Sequence, residues 1–70
     1  MTNIKTCLKD YRLAKKLSQQ ELAQLIGVRR ETIVHLEANR YNPSLEMALK
    51  LAQVFEVQVE ELFSLKSKLD

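Results

Sequence analysis

Four side chains of unlike chemistry recur at helical spacing between residues 30 and 35. They are Arg30, Glu31, Val34 and His35, and residues three or four apart lie on the same face of a helix. An arginine fork can bond O6 and N7 of guanine, a carboxylate can accept from the cytosine amino group, and the methyl groups of valine can contact thymine. This mixed face therefore suits the reading of base edges in a DNA major groove.

The charge distribution favours the same end of the chain. Residues 1–43 hold eight Lys/Arg and four Asp/Glu, net +4, whereas residues 44–70 hold three and five, net −2. Arg29 and Arg40 flank the mixed face, and a cation at a helix N-terminus opposes the helix dipole, so a nearby phosphate would stabilise Arg29. We expect a polyanion to meet the first part of the chain.

Catalytic, metal and cofactor chemistry find little support in the residues. His35 is the only histidine and has no predicted Ser, Cys or Asp partner, so it is either a DNA contact or an ordinary solvated side chain. The single glycine excludes a glycine-rich phosphate loop, and the single cysteine excludes an internal disulfide. Cys7 is expected to be a small buried residue of the first helix. We expect no enzyme, no metal and no cofactor.

Two short helices joined by a turn would position the mixed face. Ser18 and Glu21 have the spacing of a capping box, which predicts a helix from about Gln19 to Ile26. Gly27 can adopt the positive φ that a sharp helix end requires. A second helix follows from Arg29 or Arg30 to about Ala38. Two such helices form a helix-turn-helix, in which the first braces the second.

The remaining patterns predict one small all-α domain, a compact five-helix bundle. Helix one is expected over residues 3–15. Helix four begins after the cap Ser44, runs to about Phe55, and has a predicted buried stripe of Leu45, Ala48, Leu49, Ala52 and Phe55. Helix five starts near Gln58 or Val59, with Leu62 and Phe63 pointing inward, and residues 64–70 form its short C-terminal extension.

Several segments resemble a known family. They are Leu17-Ser18-Gln19 with Leu22-Ala23, Gly27-Val28, Thr32-Ile33, Leu36-Glu37, and Asn42-Pro43-Ser44-Leu45. Together they resemble the DNA-binding domain of the Cro/lambda-repressor type, also called the XRE family. The resemblance covers residues 8–63, with the helix-turn-helix at about 19–38, and implies a lambda-repressor-like fold. Lys16 and Asn39 stand where that family often has glycine.

The resemblance also implies roles for residues outside the mixed face. Arg12 and Glu37 match a pair that ties helix one to the back of the reading helix; otherwise they are two unrelated surface charges. Gln19 matches a glutamine that contacts a phosphate and steadies the reading helix; otherwise it is a solvated residue at a helix start. Arg40 and Asn42 match loop contacts to phosphate.

The resemblance and the mixed face together predict a sequence-specific transcriptional regulator, a repressor that binds double-stranded DNA as a homodimer. The dimer is expected to form through helix five, because Val59, Leu62, Leu65 and Leu69 make a surplus apolar stripe. The alternative is an antitoxin-like module that chiefly binds a partner protein. A purely structural helix-turn-helix is disfavoured by the arginines. No apolar run approaches the length of a membrane span, so cytoplasmic residence is expected.

Overall fold

The computed structural model describes residues 3–40 and 42–66. These residues form five helices and two short strands, in the order β1 Ile4–Thr6, α1 Leu8–Ala14, α2 Gln19–Ile26, α3 Arg30–Glu37, α4 Leu45–Phe55, α5 Val59–Leu62 and β2 Phe63–Leu65. The protein is mostly helical, as expected, but it is not strictly all-α. None of the helices in the described ranges has the length and apolar character needed to cross a bilayer.

The two strands pair with each other, so the structure differs from the predicted all-helical fold at both ends of the described chain. They run antiparallel, with Ile4 opposite Leu65 and Thr6 opposite Phe63. The prediction of helix one over residues 3–15 is therefore wrong at its start. The hydroxyl of Thr6 accepts from the backbone N–H of Leu8 at 3.0 Å, which favours a helix start at that point.

Cys7 was expected to be buried and is exposed instead. It lies between β1 and α1, not on the inner face of a helix, and its backbone N–H donates to the carbonyl of Leu62 at 2.8 Å. This bond connects the beginning of α1 to the end of α5. The backbone of Cys7 therefore contributes to the fold, while its thiol faces outward.

Helix five is shorter than predicted. It ends at Leu62, and Phe63 begins β2 with an extended backbone, φ −133° and ψ 139°. Ser64 and Leu65 therefore belong to a strand and not to a C-terminal extension of α5. Residues 67–70 of that predicted extension, Leu69 among them, lie outside the described residues. Leu62 and Phe63 point inward as predicted, since both are buried.

The core lies between the helices and under the sheet. Its buried apolar residues are Leu8, Leu22, Ala23, Ile26, Ile33, Leu36, Ala48, Leu51, Ala52, Phe55, Leu62 and Phe63. The buried stripe predicted for α4 was partly wrong, because Leu45 is 73% and Leu49 is 49% exposed, whereas Leu51 is fully buried. The stripe follows Ala48, Leu51, Ala52 and Phe55, which leaves two leucines of α4 at the surface.

The four longer helices end in the same way. Each is followed by a residue in the left-handed conformation, and these residues are Lys16, Gly27, Asn39 and Glu56 with φ of 58°, 74°, 63° and 55°. In each case the next residue donates its N–H to the carbonyl five positions back, as in a Schellman motif. The sequence predicted a positive φ at Gly27, and the resemblance placed Lys16 and Asn39 where the family often has glycine. The left-handed conformation of Glu56 was not predicted.

Candidate nucleic-acid interface

The turn between α2 and α3 sets up the candidate interface. Ser18 and Glu21 form the predicted capping box: Ser18 Oγ accepts from the Glu21 N–H at 3.0 Å, and Glu21 Oε1 accepts from the Ser18 N–H at 2.8 Å. Gly27 ends α2, and Val28 donates to the carbonyl of Ala23 at 3.0 Å. This turn leads into α3, whose buried Ile33 and Leu36 pack in the core.

The capping box also affects the acidity of Glu21. The backbone N–H of Ser18 and, less strongly, its hydroxyl favour the charged carboxylate. They hold the pKa of Glu21 below its ordinary value. Glu21 is therefore charged over a wider pH range than a free glutamate, and it lies in the first turn of α2, where a negative charge suits the helix dipole.

The four residues predicted to contact base edges lie on the side of α3 that faces away from the core. Arg30 and Glu31 are exposed, while Val34 and His35 are half-buried. At 100° per residue, Glu31 and Val34 lie roughly opposite the buried Ile33 and Leu36, with Arg30 and His35 on either side. The mixed face is thus one continuous surface of α3.

Arg29 precedes α3 with an extended backbone and makes no side-chain cap. The first N–H groups of a helix have no partners within that helix, and here no side chain at the cap position satisfies them. Arg29 is exposed, as are Arg30 and Arg40. The N-terminal end of α3 therefore carries two exposed cationic side chains, Arg29 and Arg30, an arrangement suited to binding an anion such as a phosphate.

The structure places Arg12 and Glu37 in a buried ion pair, as the resemblance implied. Arg12 Nε donates to Glu37 Oε2 at 2.6 Å, and its Nη2 donates to Oε1 at 3.1 Å. The two side chains are only 8% and 5% exposed. Arg12 Nη1 also donates to the carbonyl of Leu17 at 2.8 Å. The pair therefore joins α1, the residue before the α2 cap, and the last turn of α3.

Gln19 belongs to the same network, which sequence reasoning missed. Its Nε2 donates to Glu37 Oε1 at 3.2 Å, and the residue is half-buried at the start of α2. The expected phosphate contact of Gln19 stays a prediction. The bond shows, however, that Glu37 orients the amide group that would make this contact. The sequence contains no local signal for it, because the two residues are eighteen positions apart.

Arg40 and Asn42 follow α3 and are both exposed. The backbone N–H of Arg40 donates to the carbonyl of His35 at 3.0 Å, and its Nη1 lies 3.2 Å from His35 Nδ1. Sequence reasoning missed this side-chain contact, although Asn39, which stands where the family often has glycine, is the signal that could have found it. Tyr41, between Arg40 and Asn42, lies outside the described residues.

Comparisons with known proteins agree with this geometry. A family model described as Helix-turn-helix matches residues 8–62. An uncharacterized HTH-type transcriptional regulator of Archaeoglobus fulgidus is 48% identical over 60 residues, 86% of this chain and 84% of that protein. The cryptic phage CTXphi transcriptional repressor RstR of Vibrio cholerae is 37% identical over 57 residues, 81% of this chain and 51% of that protein.

A solved structure is also similar. The restriction-modification controller protein C.AhdI from Aeromonas hydrophila superimposes with a TM-score of 0.71 at 39% identity, over 77% of this chain and 82% of that one. The superimposed part of this chain is longer than the helix-turn-helix alone.

Proposed function

Because the chain belongs to the helix-turn-helix family of the Cro/C1 (XRE) type, we propose that it is a transcriptional repressor of the cytoplasm that reads a specific DNA sequence as a homodimer. Regulators of this family are not a class of enzyme. The DNA-binding role follows from the family, whereas the reading residues, the dimer and the repressing activity are proposals. The repressing activity is supported by the similarity to RstR, a protein named as a repressor.

The observation that carries the proposal is the outward side of α3. A solvated helix face has little reason to combine Arg30, Glu31, Val34 and His35 beside two further exposed arginines. In a major groove, Arg30 bonds a guanine, Glu31 accepts from a cytosine amino group, and Val34 contacts a thymine methyl. Glu31 would repel a phosphate, so its position favours a base edge over the backbone.

Contacts to the DNA backbone complete the proposed interface. Three exposed residues lie beside the mixed face, namely Arg29, Arg40 and Asn42. Gln19 lies at the N-terminal end of α2. Such contacts fix the register of a protein on the duplex without reading sequence. We assign these four residues to phosphates, with Arg12 and Glu37 as the buried pair that holds α3 in place.

The predicted dimer stripe of helix five is not one exposed helical face, because Leu62 is buried in the core and Leu65 belongs to β2. Exposed Leu49 of α4 lines one groove with Val57 and Val59, which lie just before and at the start of α5. We infer that a second copy packs on this α4–α5 groove. Two copies related by a two-fold axis would place two α3 helices about 34 Å apart, one turn of DNA, and would prefer a palindromic site.

The proposal is tested by selecting bound sites from random duplex DNA and titrating the best site at several salt concentrations. The slope of log affinity against log salt should be about −0.9 for each phosphate neutralised. Arg30→Ala should weaken the best site by about 1–3 kcal/mol and relax preference at one base pair of each half-site. Lys50→Ala, which removes an exposed cation of α4, is the matched control and should bind normally.

Three outcomes would overturn parts of the proposal. A wild-type protein that binds no duplex even at low salt is not a DNA-binding regulator, and the partner-protein alternative then stands. Uniform weakening of all site variants by Arg30→Ala would make Arg30 a backbone contact. Light scattering at micromolar concentration tests the dimer, which a strict monomer both free and on DNA would exclude.

A further inference from the structure

The end of α3 differs from the ends of the other three long helices in one respect. After the left-handed residue, the chain continues with Leu17, Val28 and Val57 in those three helices. These three side chains are apolar and pack against the core, as is usual for this position of a Schellman motif. At the end of α3 the equivalent residue is the exposed Arg40.

The backbone of this motif brings Arg40 over the last turn of α3. Its N–H donates to the carbonyl of His35 at 3.0 Å, and Asn39 donates to Leu36 at 3.1 Å. The same two residues then meet through their side chains, with Arg40 Nη1 at 3.2 Å from His35 Nδ1. A polar contact thus replaces the usual apolar one, on the side of α3 that faces away from the core.

The chemistry of the contact determines where the imidazole proton lies. An arginine side chain has five N–H donors and no acceptor. His35 Nδ1 must therefore accept, so the neutral ring carries its proton on Nε2. If the ring were protonated, Nε2 would still be a donor. In either state the ring nitrogen that does not face Arg40 donates a hydrogen bond.

We propose that Arg40 fixes His35 as a hydrogen-bond donor, so that His35 reads an acceptor on a base edge. The acceptors of the major groove are N7 of either purine, O6 of guanine and O4 of thymine, whereas the amino groups of adenine and cytosine are donors and are rejected. This inference rests on the proposed function and adds a specificity role to Arg40. One bond to His35 leaves the other N–H groups of Arg40 available for a phosphate.

The first test is nuclear magnetic resonance of the free protein at a pH where His35 is neutral. His35 is the only histidine, so its two ring nitrogens can be assigned without ambiguity from their ¹⁵N shifts. The wild type should show an unprotonated Nδ1 and a protonated Nε2. Arg40→Ala should show a larger share of the other tautomer, and Arg40→Lys, which keeps a donor, should restore the original state.

The second test uses base analogues in the selected DNA site. His35→Ala identifies the base pair that His35 reads, because discrimination is lost there. At that pair, each base analogue removes one acceptor: a 7-deazapurine lacks N7, 2-aminopurine lacks O6 of guanine, and 5-methylpyrimidin-2-one lacks O4 of thymine. Loss of the acceptor that His35 contacts should weaken DNA binding by the wild type about fivefold to tenfold. The same analogue should not affect His35→Ala. Arg40→Ala should relax preference at this pair, whereas Arg29→Ala should not.

The outcomes separate this inference from the proposed function. A wild-type ring with its proton on Nδ1, or with the same tautomer mixture as Arg40→Ala, overturns the role of Arg40 whether or not DNA binds. If loss of an amino group weakens binding in place of loss of an acceptor, His35 accepts and the inference fails. A wild type that binds no DNA overturns the proposed function and the base reading, while the tautomer is decided by the first test.

Discussion

Removal of the Glu37 carboxylate is the most damaging single change we expect outside the apolar core. In Glu37→Ala, Arg12 loses both of its bonds to the carboxylate and keeps only the carbonyl of Leu17, at 2.8 Å. The guanidinium is too well covered for water to replace them, since only 8% of the side chain is exposed. The variant therefore contains a nearly buried charge without a counter-ion.

The expected cost is about 3–5 kcal/mol, the usual result of removing one partner from a buried pair. Two charge-assisted hydrogen bonds at about 1.5–3 kcal/mol each give a similar figure. A chain of 70 residues is typically stable by about 4–10 kcal/mol. Glu37→Ala should therefore be marginally folded, and with an m value of about 1 kcal/mol/M its urea midpoint should fall by about 3 M or more.

Urea unfolding of a mutant cycle measures this coupling. Arg12→Met and Glu37→Leu should each destabilise the protein, and the double variant should be more stable than the sum of the two costs implies, because neither charge is left alone. Glu37→Gln keeps one acceptor and should lie between wild type and Glu37→Ala. Costs that simply add would refute a coupled buried pair.

A control comes from an exposed pair of opposite charges. Lys50 and Glu46 lie 3.1 Å apart on α4, with side chains 48% and 77% exposed. Removal of either should cost no more than about 0.5 kcal/mol, because water screens the pair. A similar loss at both pairs would mean that burial is not the cause.

Three further changes test other parts of the fold. Glu56→Gly should raise the free energy of unfolding by about 1 kcal/mol, because Glu56 has a φ of 55° and a negative charge at a helix C-terminus. The control Gln53→Gly lies inside α4 and should lower the free energy of unfolding by a similar amount. Ser44→Ala removes the acceptor of the Met47 N–H at 3.1 Å and should cost about 1 kcal/mol in a thermal melt. Ser18→Ala should raise the pKa of Glu21 towards its ordinary value in a carboxylate titration, since the Ser18 hydroxyl contributes to its lowering. The stabilisation linked to the Glu21 charge is present above the ordinary glutamate pKa and is lost as the pH falls through the lower folded value, so the variant should lose less stability on acidification.

The parts of the fold that depend on local chemistry were predictable from the sequence. The capping box of Ser18 and Glu21 depends on residues three apart, and the turn at Gly27 depends on one residue. The strand at Ile4–Thr6 was not predictable in this way, because its partner is Phe63–Leu65 at the other end of the described chain. Glu56 carries no local signal for its left-handed backbone, which the surrounding fold imposes.

The candidate site shows the same division. Helical spacing alone placed Arg30, Glu31, Val34 and His35 on one face, and that face is present. The role of each residue on DNA stays a prediction. The contact of Arg40 with His35 depends on how the chain turns after Asn39. Residue types and their spacing therefore identified the surface, while the orientation of its polar groups required the three-dimensional structure.

The pairing of β1 with β2 has a consequence for how the protein is made. β1 is synthesised before β2 and cannot pair until β2 follows, because Ile4 pairs with Leu65. The helices α2 and α3 are neighbours in the sequence and can pack against each other earlier, because contacts between elements close in sequence form early. A chain that ends before Phe63 lacks both the sheet and a buried core residue. The sheet thus makes closure of this fold depend on the pairing of two segments that lie far apart in the sequence.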